Sequence, residues 1–241
     1  MKKLFLVLAV VAMATSSCRS IWGKRVRGDG SIKSEERTVN SFKNVEASGA
    51  VDVYVSQGEL KPVKIETDGN LLQYVEVIQS GDKIIIRQRR GFNLDPTDKI
   101  KVYVTTPVYN KIDVSGASNI YGTGKITNTE DIKLEVSGAG DIKMELDAPA
   151  VQAEVSGAGS VNLKGQTKSF DLDLTGAAKG HCADLLSENT DVHITGAGDA
   201  DVYASVKLNA DVSGAGSVTY KGGATNVSQH VTGAGSVKKV D

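Results

Sequence analysis

The phrase Ser-Gly-Ala-Gly recurs through the second half of the chain and leaves few folds open to it. Intact copies begin at Ser137, Ser156 and Ser213, Thr-led copies at Thr195 and Thr232, and looser copies at Ser48, Ser115 and Thr175. From Ser115 onward the starts are 22, 19, 19, 20, 18 and 19 residues apart. A nearly constant period over that many copies marks a repeat architecture, in which each unit buries its apolar face only against its neighbours.

Aligning the copies on the Ser or Thr gives uniform columns. One place before it stand Val114, Val136, Val155, Leu174, Ile194, Val212 and Val231; five places after it stand Ile120, Ile142, Val161, Gly180, Ala200, Val218 and Val237. Ladders of branched aliphatics at a two-residue alternation are what stacked parallel strands need, each about 4.8 Å from the next. The expected fold is therefore all-β, a parallel β-solenoid (single-stranded β-helix) of coils about 19 residues long, with one strand before the Gly-Ala-Gly and one after it. The motif reads as the corner between them, with glycines for unusual backbone angles and an alanine small enough for a sharp turn. A phosphate-cradling Gly-x-Gly would need a helix behind it, and here a strand follows. The Gly-Ala-Gly-Asp at 138–141 and 196–199 is similar to calcium-binding roll repeats, but those recur every nine residues or so, so calcium is not expected at the corners.

Residues 37–110 are less regular, although Val45, Ala47, Val51, Val53 and Val55 still alternate. Residues 74–89 read as a hairpin turning at Ser80-Gly81-Asp82. Ser48 and Ser115 are 67 residues apart, close to three periods, so this half is expected to form broader coils with hairpin arms, continuous with the regular coils of 111–241.

The N-terminus carries a targeting signal. Met1-Lys2-Lys3 is basic, Leu4 to Met13 is apolar but too short to span a bilayer, and small residues lead to Cys18. This resembles a bacterial lipoprotein signal over residues 1–17, with Cys18 as the acylated first residue of the mature chain, although Thr15 stands where the lipobox prefers leucine. Residues 18–36 read as a polar tether. The expected location is the cell envelope, lipid-anchored at the outer membrane, on either its periplasmic or its surface face. With Cys18 lipidated, Cys182 has no partner for a disulfide.

Charge balance excludes nucleic acid as a partner: 28 basic side chains stand against 29 acidic ones. Aromatic residues are only 5% of the chain, which weighs against stacked rings holding sugars or bases. Two features point outward. The column two places before the motif serine reads Glu46, Asp113, Glu135, Glu154, Asp173, His193, Asp211 and His230. Stacked coils would line these up along one face, either as a solvated face compensated by Lys133, Lys143 and Lys164 or as a strip for a cation or cationic partner. Arg87, Arg89 and Arg90 form the second feature, either a solvated strand end or an anion contact. His193 and His230 lie two coils, about 10 Å, apart, far beyond the reach of one metal ion, so neither metal nor cofactor is expected. Cys182 falls in an inward column and reads as a core residue.

The leader, the opening Phe42-Lys43-Asn44-Val45-Glu46-Ala47-Ser48-Gly49-Ala50, the Thr106-Pro107 before Ile112-Asp113-Val114-Ser115-Gly116-Ala117 and the serial coils resemble the family described as putative auto-transporter adhesin, head GIN domain. That resemblance implies a β-helical envelope protein with an adhesive role and brings no catalytic residues. The acids repeat along a ladder instead of converging in a cleft, so no enzyme is expected. The expected function is an adhesin or interaction module with a protein or glycan ligand. The alternatives are a structural envelope lipoprotein and a β-helical polysaccharide-active enzyme.

Overall fold

Alternation in the sequence becomes alternation of inside and outside. In the computed structural model, which describes residues 23–240, strands stack in parallel register along a single rod. The aliphatic columns coincide rung by rung: Val114 pairs with Val136, Val136 with Val155, Val155 with Leu174, Leu174 with Ile194, Ile194 with Val212 and Val212 with Val231. Down to Val212 these side chains are at least 98% buried. Each fully buried aliphatic contributes roughly 1.5–3 kcal/mol relative to leaving it in water. The core is thus a continuous ladder in which every coil supplies one face of its neighbour's interior.

The strands run further than the sequence suggests. Asp141–Gly157, Ser160–Gly176 and Lys179–Gly196 are each unbroken extended runs from one motif to the next. Alternation slips once within the first of them, at exposed Pro149 and half-buried Ala150, where the coil rounds a second bend without leaving the sheet.

The motif is the sharp corner, but alanine is not its tight position. Ala139, Ala158, Ala177, Ala197 and Ala215 all face solvent. The constraint falls on the glycines beside them. Gly157 holds φ at 117°, a conformation side chains resist, and a β-carbon there would sit 2.5 Å from the Gly138 carbonyl oxygen. The fourth place points inward, and a β-carbon on Gly140 would collide with the Ser118 carbonyl and the Val114 side chain. Corner amides tie the coils together, with Ala158 N donating to Gly138 O and Ala177 N to Gly157 O, both at 2.8 Å.

The first half departs from a simple series of coils. Ser48 lies in direct register with Ser115, so the 66 residues between them do not form intervening turns. They stack outside instead. Lys83–Gln88 pairs in parallel with Asn44–Gly49, and Lys101–Thr106 with Asp52–Gln57. The expected hairpin is present, Val75–Ser80 running antiparallel to Lys83–Gln88. Val63–Asp68 lies antiparallel to Lys101–Thr106 and in turn carries Ile32–Arg37 on its other edge. Antiparallel strands therefore cap this end of the rod.

Part of the expected tether belongs to that cap. Lys24–Arg27 pairs with Phe92–Asp95, and Ile32–Arg37 joins the main sheet, so residues 24–37 are folded. Their polar side chains look like a linker because an edge strand keeps most of them in water. The join is anchored by Asp68, which is fully buried and accepts hydrogen bonds from Gly30 N at 2.8 Å, Thr97 N at 2.9 Å and Thr97 Oγ1 at 2.6 Å. Burial alone would push its carboxyl up, but these donors outweigh burial and hold it below the ordinary carboxylate range. The expected leader and Cys18 lie outside the described residues.

Two stability predictions arise from these contacts. Gly157→Ala should destabilise the rod by about 2 kcal/mol or more in denaturant unfolding, whereas Ala158→Ser, exposed at the same corner, should stay within about 0.5 kcal/mol of wild type. Asp68→Asn should cost about 2 kcal/mol at pH 7. Because the folded carboxyl is depressed, its contribution is present above the unfolded value and lost as pH falls, so the difference between the two proteins should shrink below about pH 4.

Candidate interaction faces

The outward acidic column is in register along the rod: Glu46, Asp113, Glu135, Glu154, Asp173, His193, Asp211 and His230 occupy successive rungs. Its two halves differ in charge. Toward the capped end, lysines from the column two places earlier interleave with the acids. Lys83 Nζ lies 2.7 Å from Glu46, Lys111 2.7 Å from Glu135, and Lys133 3.0 Å from Glu135 and 2.8 Å from Glu154. Burial pushes the Glu135 carboxyl up, but Lys111 and Lys133 reverse this and leave it below its usual range. Of the compensating lysines expected from sequence, only Lys133 serves this face; Lys164 pairs with Glu145 on another.

Toward the other end the interleaving column turns acidic. Asp171 pairs in register with Asp191, and Asp173 with His193. The ligand atoms of Asp171, Asp173 and His193 lie within 4.8 Å of one another, and Asp171 Oδ1 is buried without a hydrogen-bond partner. Burial, and then the charge of Asp173, raise the Asp171 carboxyl. Lys207 approaches Asp191 only to 3.8 Å. This patch offers acceptors to a cation or to a cationic surface. His193 is thus grouped not with His230 but with the two aspartates of the coil before.

The arginine cluster is answered from within the chain. Arg87 Nε and Arg89 Nε lie 2.9 and 3.1 Å from the two carboxylate oxygens of Glu76, across the hairpin. These guanidinium groups, Arg87 first, hold Glu76 below its ordinary range. The expected anion contact is therefore already occupied by a side chain at Arg87 and Arg89, while Arg90 stays exposed. Cys182 is the expected core residue, its thiol pushed up to about 12 by complete burial.

A third face was not expected. Tyr103, Tyr54 and Tyr121 stand on successive rungs facing outward, with ring centroids 5.1 and 5.4 Å apart. Three of the seven tyrosines thus form one stack, each contact worth about 0.5–1.5 kcal/mol beyond its buried area. Tyr54 and Tyr121 share one place, six after the motif serine, so extending the columns by one position would have found the pair. Beyond Tyr121 lies a concavity of about 340 Å³ lined by Gly122, Gly124, Lys143, Glu145, Asn162 and Lys164 among others. A larger groove, about 510 Å³, runs past Thr167, Ser187 and Tyr203. Its buried hydroxyls are engaged by corner carbonyls, with Thr167 Oγ1 donating to Ser169 O at 3.0 Å and Ser187 Oγ donating to Tyr203 O.

Stacked coils, a closed end and in-register outward columns define a β-solenoid that displays side chains on a rigid rod. The chain belongs to the family described as putative auto-transporter adhesin, head GIN domain, whose model matches residues 41–224. Among solved structures it is similar to a putative adhesin from Bacteroides fragilis, with 21% identity and a TM-score of 0.84 over 89% of this chain and 100% of that one. It is also similar to a putative lipid binding protein from Parabacteroides distasonis, at 19% identity and a TM-score of 0.76 over 90% of this chain and 100% of that one. A putative adhesin from the same species shares 25% identity, with a TM-score of 0.69 over 90% and 100%. Comparison with curated proteins returned no match. No helix among the described residues is long and apolar enough to cross a membrane.

The acidic patch gives a signed prediction. Asp171→Asn should raise the melting midpoint at pH 7, because it removes a charge that burial and Asp173 disfavour. A carboxyl raised in the folded state weighs against folding once both states are ionised, so the gain should vanish as pH falls through the carboxylate range. A melting series from pH 3 to pH 7 checks both the sign and the trend.

Proposed function

We propose that this protein is a non-enzymatic adhesin of the cell envelope, held at the outer membrane by lipid on Cys18, which presents its rod to a ligand on another surface. The observation that carries this reading is that the outward columns keep register over the length of the rod while the patch around Asp171, Asp173, His193 and Asp211 is left with little internal compensation. A rigid surface with unpartnered charge of one sign suits a complementary partner, and its contribution is to steering and specificity. Family membership supports the adhesive role, and the apolar leader ending at Cys18 supports the anchor.

The test has two parts. Mass spectrometry of the mature N-terminus after growth with a labelled fatty acid should show an acylated Cys18, and a chain that starts elsewhere without label overturns the anchor. Cells carrying Asp173→Asn with Asp211→Asn should adhere less to immobilised host matrix proteins than wild type, with the deficit narrowing at high salt. Deletion that weakens the envelope with adhesion intact would instead indicate a structural lipoprotein. Release of reducing ends from envelope polysaccharide by the purified chain would indicate an enzyme.

A further inference from the structure

We infer that the concavity at the end of the tyrosine stack is a saccharide-binding subsite, with Tyr121 as the platform for a pyranose ring. This deepens the adhesin reading, and rests on it, by naming a class of ligand.

The column that contains the stack runs Lys64, Tyr103, Tyr54, Tyr121, Lys143 from the capped end inward. One end is covered, because Lys64 Nζ sits 5.5 Å from the centroid of the Tyr103 ring. Tyr54 has a neighbour on both sides. Tyr121 stacks on Tyr54 with one face only, and no cation lies over its ring among the described residues. Its other side borders the concavity.

The concavity exists because the sheet is interrupted there. Tyr121 pairs with Lys143 and Lys125 with Glu145, so three residues, Gly122-Thr123-Gly124, are set against one, Met144. The bulge needs its glycines. Gly124 holds φ at 86°, and a β-carbon on Gly122 would lie 3.2 Å from Met144 Cα. Bulges of this kind re-aim side chains and open ladders locally.

The lining chemistry fits a sugar better than the other common ligands. At about 340 Å³ the space is within the range of small-molecule sites. An aromatic face accepts the apolar C–H side of a pyranose, while hydroxyls at its rim need both donors and acceptors. Asn162 offers an amide with both, Glu145 accepts, and Lys143 and Lys164 donate. Lys164 is held 2.9 Å from Glu145, so these two are positioned as a pair, whereas Lys143 makes no ion pair among the described residues. Lys143, Lys164, Glu145 and Asn162 at the rim would gain no hydrogen-bond partners from an acyl chain, and the run of positive charge that a nucleic acid backbone requires is not present in this lining.

The purified mature chain is titrated with two fluorescently labelled tetrasaccharides, one neutral and β-1,4-linked, the other a polymer unit of galacturonic acid. Saturable binding of either probe is expected. Tyr121→Ala and Asn162→Ala should each weaken it about tenfold, the scale of one aromatic or hydrogen-bonded contact, while Tyr121→Phe should keep most of the affinity. Asn162 and Lys143 are exposed, so Asn162→Ala and Lys143→Ala report on binding even if loss of the Tyr121 ring lowers the melting point. Absence of saturable binding by both probes overturns the inference. So does binding that Tyr121→Ala and Asn162→Ala leave intact, or a protein ligand at Tyr121 that neither sugar displaces. Loss of sugar binding sites in this assay with cell adhesion still dependent on Asp173 and Asp211 would remove the saccharide subsite and leave the adhesin reading standing. Sugar binding by a chain that confers no adhesion would do the reverse.

Discussion

Everything in this rod depends on the short distance between coils. Parallel strands lie about 4.8 Å apart, so whatever occupies one place in a coil is stacked directly on the same place in the next. The corner must therefore repeat as faithfully as the core. A side chain at Gly157 or Gly140 would meet backbone atoms of the coil beneath, and no rotamer can move a β-carbon out of the way. Between corners the demand is milder, and isoleucine, valine, alanine and even Gly180 share one inward column.

Stacking like on like has opposite consequences inside and outside. Aliphatics gain from it, and so do the tyrosines. Carboxylates do not, and the chain answers in two ways. Near the capped end a second column of lysines threads between the acids, so that Glu135 is flanked by Lys111 and Lys133. Further along, the same column supplies Asp171 and Asp191, and repulsion is left in place. The contrast between these halves of one face is where structural stability gives way to surface chemistry.

The regular coils were legible because their interactions are local to a column. Aligning Val114 with Val136 needs only the period. The cap was not legible, because its partners are set by a chain that doubles back: nothing in the spacing of Ser48 and Ser115 reveals that they are neighbours, and Ile32–Arg37 looks like linker until Val63–Asp68 is placed beside it. The pairing of Glu76 with Arg87 and Arg89 is, by contrast, within reach of the sequence, because the hairpin turning at Ser80-Gly81-Asp82 sets Glu76 opposite Arg87. Composition misled over the aromatics. A low overall count says nothing about how rings are distributed, and Tyr103, which follows no motif serine, joins Tyr54 and Tyr121 only through the cap.

The bulge at Gly122-Thr123-Gly124 shows how such a rod can change. An insertion inside a coil would ordinarily push every later residue out of register with the neighbouring coil, yet here the two additional residues bulge outward, alternation is kept and the pairing resumes at Lys125 and Glu145. The core registers nothing. A scaffold with an outlet of that kind can alter the length and character of one surface loop independently of its fold, so its binding properties can diverge while its architecture is inherited unchanged.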